Sequence, residues 1–276
     1  MDFDMHVHST ASDGIFTPRE LVKWAKEKEL SGLAVTDHDS VDGLDEALHY
    51  GKIYGVKVVP GIEISCKFEG TEKSVMEVHI LGYFLDYRDP VFERKLEELQ
   101  EMRRSRAQRI LLELARNGMP LDDAFLRQYS ASGSVGRAVI AREMVKAGYV
   151  PSIAEAFENW LNEGKPAYVP RVKIRPEEAI KMIREVGGAA VLAHPALNED
   201  DSTIPPLVKA GLQGIEVYHP AHSAEQSRNY REIARRYGLI ITGGSDCHDG
   251  RLGEYWTEDA NVEALMALSR NKSWQQ

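Results

Sequence analysis

Seven short apolar runs rich in β-branched residues, most of them separated by stretches of helical periodicity, set what this chain can fold into. They lie at 3–8, 33–37, 57–64, 76–84, 189–194, 214–219 and 239–246. Strands alternating with helices imply a mostly parallel sheet, open or closed into a barrel, because each parallel connection needs a crossover. The helical stretches are 18–29, 42–54, 176–187, 223–237 and 258–271. The first opens on Thr17-Pro18-Arg19-Glu20, a capping box with proline at the first helical position. One connection differs. Residues 65–75 are too few for a crossover and Glu69-Gly70-Thr71 suits a turn, so an antiparallel hairpin is expected, with Glu63 and His79 side by side.

From about 91 to 170 the strands stop. Helices are expected at 91–118, 121–129, 136–147 and 152–162, the last opening with the capping box Ser152-x-x-Glu155. This predicts an all-helical insertion, a substrate-side cap over 91–170, between barrel segments 1–90 and 171–276. With 276 residues, 43% of them hydrophobic, a sizeable core is available. Two cysteines, Cys66 and Cys247, are too few for a disulfide scaffold and suit a reducing compartment, so a cytoplasmic location is expected. No run approaches ~20 apolar residues, which argues against a membrane span. Met1-Asp2-Phe3-Asp4 does not resemble a signal peptide. A net charge of −9 excludes a generally basic surface that grips long duplex nucleic acid. Nothing in the sequence sets the oligomeric state.

His6 and His8 stand two apart on a strand, so both point to one face while Met5 and Val7 point to the other. Alone, that spacing is weak evidence for a metal. The company it keeps strengthens it. Asp13 follows the first strand, His38 the second, Glu63 closes the third with His79 opposite, His194 closes the fifth, and Asp246 and His248 close the seventh. In barrels and open α/β sheets, strand ends are where loops converge on an active site. Only His49 clearly falls outside the pattern, on a helix. Imidazole and carboxylate donors without a thiolate core suit Mn²⁺, Zn²⁺ or Fe²⁺.

The stretches MHVHSTASDG (5–14), AVTDHDSVDG (34–43), GIEIS (61–65), EVHILGYF (77–84), AHP (193–195), GIEVYHPAHS (214–223) and GSDCHDG (244–250) together resemble the PHP (polymerase and histidinol phosphatase) family of metal-dependent phosphoesterases. The resemblance implies a distorted (β/α)7 barrel holding two to three divalent ions, Mn²⁺ foremost. It assigns one ion to His6, His8, Glu63 and Asp246, a second to Asp13, His38 and His248, and a third to Glu63, His79 and His194. A metal-bridging hydroxide is then the candidate nucleophile, since a pair of metals both binds the phosphate oxygens and lowers the pKa of the water between them. No serine or cysteine is needed for a covalent intermediate, and Cys247 suits a core position. His222 is the candidate phosphate contact and general acid, with His219 a weaker candidate of the same kind. Asp4, on the face of His6 and His8, is a candidate to orient one of them, and Asp39 or Ser40 a candidate cap for the next helix.

Arg103, Arg104, Arg106 and Arg109 sit among acids on the long helix, as a solvated face would. Arg137 and Arg171 are better substrate candidates. Their stretches, VGRAVIAREMV (135–145) and GKPAYVPR (164–171), resemble a PHP subgroup of nucleoside 3′,5′-bisphosphate phosphatases, relatives of which trim short 5′-phosphorylated RNA. The subgroup pattern has Pro-His or another polar residue after Gly-Arg, where this chain has Ala138-Val139. The expected activity is therefore hydrolysis of a small nucleotide's phosphate monoester. The rivals are a histidinol-phosphate phosphatase and a non-catalytic metal-binding module, the latter opposed by the complete donor set. Three divalent ions against Asp13, Glu63 and Asp246 leave the mouth positive by about three charges, enough for a compact polyanion on an acidic protein.

Overall fold

The computed structural model describes residues 2–69, 75–126, 135–170, 174–198 and 200–271. Strands β1 (Asp2–Val7), β2 (Gly32–Val35), β3 (Lys57–Glu69), β4 (Val75–Tyr83), β5 (Ala189–Leu192), β6 (Gly214–Tyr218), β7 (Ile240–Gly243) and β8 (Thr257–Glu258) make one sheet in the order β7-β6-β5-β4-β3-β2-β1-β8. β1, β2 and β3 are parallel, as are β5, β6 and β7, while β4 runs antiparallel to both its neighbours. The helices are α1 (Pro18–Glu27), α2 (Leu44–Tyr54), α3 (Pro90–Arg116), α4 (Arg137–Lys146), α5 (Ile153–Ala156, continued as a π-turn over Phe157–Leu161), α6 (Pro176–Glu185), α7 (Ile204–Ala210), α8 (Ala224–Tyr237) and α9 (Asp259–Leu268). Of the helix expected at 121–129, residues 124–126 are helical and those from 127 lie outside the described residues.

Two residues nearly close the barrel. β8 pairs antiparallel with β1, and Thr257 Oγ1 accepts from Gly243 N (2.7 Å) and donates to Gly243 O (2.8 Å) on β7. A two-residue strand is too short for sequence periodicity to reveal. At the same seam Gly244 passes so close to β1 that a Cβ there would lie 2.4 Å from the His6 Cβ. α7 is not among the expected helices; Pro205 and Pro206 stand in its first turn, where proline is compatible.

One core fills the barrel, with Phe3, Met5, Ala34, Val59, Leu81, Tyr83 and Val191 packed against Val262 and Leu265 of α9. A second lies between the sheet and its outer helices, and takes Phe92, Leu96 and Leu99 from the first half of α3. A third is built from residues 107–169 alone, where Ile110, Leu111 and Leu114 of α3 meet Val139, Ile140 and Met144 of α4. α3, 27 residues and so about 40 Å long, thus belongs to two cores. Val139 is fully buried, which accounts for an apolar residue at the second position after Gly136-Arg137.

Three local expectations change. The β1–β2 register slips between Asp4 and Val7, a bulge that puts Met5 and Val7 in different cores and removes Asp4 from the face of His6. Asp4 instead accepts from Ser245 N (2.9 Å) and Gly253 N (2.7 Å), touching neither imidazole ring. In the hairpin, Glu63 pairs with Leu81 and Ser65 with His79, so Glu63 and His79 are diagonal neighbours rather than directly opposite. Neither Asp39 nor Ser40 caps α2, whose cap position is Gly43.

Candidate metal centre

The parallel strands β1, β2, β5 and β7 deliver their acids and histidines at or just past their C-terminal ends. Glu63, expected to close β3, sits midway along it because the hairpin extends β3 to Glu69, and the reversed β4 delivers His79 from mid-strand. Glu63 stands at the middle. Its Oε2 lies 3.4 Å from His6 Nε2, 3.3 Å from His8 Nε2 and 2.9 Å from His38 Nδ1; its Oε1 lies 2.7 Å from His79 Nδ1 and 3.0 Å from His194 Nε2. Asp246 Oδ1 is 3.4 Å from His6 Nε2 and 3.1 Å from His8 Nε2. On the other side Asp13 Oδ1 is 3.2 Å from His248 Nε2, and His8 and His248 stack with centroids 4.1 Å apart. All nine expected donors therefore share one cluster at the barrel mouth. Asp246 and His194 adopt positive φ (49° and 24°), backbone geometry that non-glycine residues seldom take and that is common at functional sites.

The donors group somewhat differently from the expected sets. His8 lies with Asp13, His38 and His248 as well as with His6 and Glu63, and His194 lies with His6 and Asp246 as well as with Glu63. Sequence reasoning missed Glu216. It is fully buried on β6, 3.1 Å from His6 Nδ1, and accepts from His194 N at 2.8 Å, so it orients two members of the cluster. A lone acid inside the apolar run Gly214–Tyr218 was the available signal. Asp37 also proves structural, its carboxylate binding Ser9 N (2.7 Å), Ser9 Oγ (2.6 Å) and Ser12 Oγ (2.6 Å) to shape the loop that carries Asp13.

The electrostatics suit cations. Burial alone would raise the Glu63 carboxyl, yet the facing His38, His79 and His6 hold it well below the usual carboxylate range. Asp13 and Asp246 are likewise held well below it, against burial, by His248 and His38 and by His6 and His219 respectively. Burial outweighs both neighbouring acids at His38 and brings it down to about 4. His6 Nε2, His8 Nε2 and Glu63 Oε2 are buried without a hydrogen-bond partner, and the two nitrogens converge on that same oxygen. Orphaned donors of this kind are what a divalent ion satisfies, and imidazole with carboxylate oxygen is the right chemistry for one.

The remaining candidates flank the cluster. His219 Nδ1 accepts from Ala221 N (3.0 Å), which leaves the ring proton on Nε2, 3.3 Å from Asp246 Oδ2. His222 lies one ring further out; its Nδ1 donates to Val217 O (2.9 Å) and its Nε2 receives Ala196 N (3.5 Å). Burial lowers its pKa. Arg137 donates to Leu161 O (3.3 Å) and lies 3.8 Å from Glu77, whose other oxygen meets His79 Nε2 at 3.1 Å. Arg171 lies outside the described residues. Within the arginine cluster, Arg103 and Arg106 are buried rather than solvated. Cys247 is a buried core residue and His49 is exposed on α2.

Barrel, strand-end acids and histidines together define a class, the metal-dependent phosphoesterases. A PHP domain model matches residues 4–162, and the chain belongs to that family. It is 34% identical to a 5′-3′ exoribonuclease of Haemophilus influenzae over 89% of both chains. It is 32% identical to a 3′,5′-nucleoside bisphosphate phosphatase of Chromobacterium violaceum, over 98% of this chain and 94% of that one. It is also 34% identical to a phosphoribosyl 1,2-cyclic phosphate 1,2-diphosphodiesterase of Eggerthella lenta, over 91% and 95%. A solved structure assigned to the metal-dependent phosphoesterases, from Bifidobacterium adolescentis, superposes with a TM-score of 0.88 at 29% identity, over 97% of this chain and 96% of that one. The chain is a hydrolase of this type. Among the described residues no helix is long and apolar enough to cross a membrane.

Proposed function

We propose that the cluster binds two to three divalent ions, manganese foremost, and that the protein removes the 3′-phosphate of a nucleoside 3′,5′-bisphosphate, with short 5′-phosphorylated RNA as a second substrate. The observation that carries the reading is the convergence of the orphaned His6 and His8 nitrogens on Glu63 Oε2, with Asp246 Oδ1 3.1 Å from His8 Nε2. His6, His8, Asp13, His38, Glu63, His79, His194, Asp246 and His248 hold the ions, and Glu216 fixes the His6 ring. Bound metals supply a water deprotonated near neutral pH and charge neutralisation of the phosphoryl oxygens. His219 presents an Nε2 proton at the mouth and is the better placed of the two outer histidines to protonate the leaving oxygen; His222 supports it from behind.

Residues 91–170 act as the substrate-side cap between barrel segments 1–90 and 171–276. Gly136, at the uncapped N-terminus of α4, would bring a Cβ within 3.6 Å of Asp13 Oδ2, so this helix end borders the centre. Arg142 donates to Asp13 O (2.6 Å) and its Nη2 is buried without a partner. With Arg137 and the N-terminus of α4, which has no side-chain cap, this is a place for the substrate's second phosphate. Two buried free thiols accord with a cytoplasmic location.

The test is phosphate release by purified protein with Mn²⁺, with and without chelator. Chelator-sensitive turnover of a nucleoside 3′,5′-bisphosphate is the expected result. Preference for histidinol phosphate or phosphoribosyl 1,2-cyclic phosphate overturns the substrate, and metal binding with no ester hydrolysed leaves a non-catalytic module.

A further inference from the structure

Arg103 lies where α3 passes from the barrel's outer core to the insertion's own, and it is 5% exposed. Its Nε donates to Asp39 Oδ2 at 2.5 Å and its Nη2 to Ser65 Oγ at 2.9 Å. One turn earlier on the same face of α3, Gln100 Nε2 donates to Asp39 O at 3.2 Å. Asp39 follows His38 directly and has φ of 51°, a left-handed conformation that needs support in a non-glycine residue. The support comes from all sides, since Asp39 N also donates to Glu63 O (2.9 Å) and Asp39 Oδ1 accepts from Ser65 N (3.0 Å). Ser65 Oγ in turn lies 3.4 Å from His38 Nδ1, the atom that also faces Glu63 Oε2 at 2.9 Å. With the ring proton on Nδ1, on the side of Ser65 Oγ, the lone pair is on Nε2, which is turned toward Asp13 at 3.9 Å.

We infer that Gln100 and Arg103 are positioning residues for the metal centre. The helix that builds the insertion grips Asp39 and Ser65, and these hold His38 in the tautomer and orientation a metal ligand requires. Stability alone is a poor reason for this pair, because burying two charges costs about what their attraction returns. What the guanidinium fork adds is simultaneous contact with a carboxylate and a hydroxyl, which an ammonium cannot reproduce in the same geometry. The inference rests on the proposal that His38 is a ligand.

Mn²⁺ affinity, measured by competition with a fluorescent chelator on the full chain, tests it in Arg103→Lys, Ser65→Ala, the double variant and His38→Ala. Arg103→Lys and Ser65→Ala each weaken Mn²⁺ binding by about 10–100-fold, in the range of lost supports behind metal ligands. The double variant is no weaker than the worse single, because both act through one contact. Ser65→Ala removes only a hydroxyl, so it decides the matter even where Arg103→Lys fails to fold. If both singles bind like wild type while His38→Ala does not, or if their losses multiply in the double variant, the positioning role is wrong. If His38→Ala itself binds like wild type, the ligand assignment falls instead.

Discussion

Glu63 is approached by five imidazoles, more than any other carboxylate of the cluster, three at Oε2 and two at Oε1. Glu63→Gln removes the negative charge those rings converge on, and bound metal measured by elemental analysis is expected to fall together with activity. At the mouth, His219→Asn is expected to lower kcat more than His222→Asn does. The loss should shrink with an aryl phosphate whose leaving group needs no proton, which a structural defect would not mimic. His248 gives a pH signature in the chelated protein. Burial opposes its charge, but Asp13 and Asp246 raise its pKa to about 10, above the ordinary 6.5. The stability it contributes is fully present below 6.5 and is lost as pH rises through about 10. The melting temperature of chelated protein should therefore decline over that interval, and His248→Gln should flatten the decline. The nine candidate donors were legible because histidines and acids recurred at the ends of the expected strands. Glu216 was not, since a single buried acid in an apolar run has no spacing to announce it. Asp4 was misplaced because a one-residue bulge reverses the alternation on which face assignments depend.

At the scale of elements, the barrel seam is packed too tightly to admit a side chain at Gly244. Gly244→Ala would drive a Cβ to 2.4 Å from the His6 Cβ and 2.5 Å from its backbone nitrogen, contacts that only movement of β1 relieves. A cost of roughly 1–3 kcal/mol in denaturant unfolding is expected, together with weaker metal binding because His6 moves with the strand. Gly136→Ala is the contrast. Its Cβ meets Arg103 and Asp13 at 3.5 and 3.6 Å, ordinary contacts, and unchanged stability is expected. The parallel strands and long helices were readable from periodicity. β8 and α7 were not, the first because two residues carry no period and the second because its two prolines stand in a first turn that tolerates them.

For the whole molecule, the proposed metal centre would link metal binding to stability. Adding Mn²⁺ at a hundred times its dissociation constant should stabilise the protein by about 2.7 kcal/mol per site, visible as a rise in melting temperature that chelator reverses. The helix shared by two cores bears on how the chain came to be assembled. Because α3 starts in the barrel's packing and ends in the insertion's, neither half is a cassette that can be exchanged at its sequence boundaries. A hybrid carrying another protein's insertion would inherit an intact barrel, yet it would lose Gln100 and Arg103 unless both were rebuilt at the graft. On the two proposals above, substrate preference and metal retention meet on a single helix, and selection on one would be felt by the other.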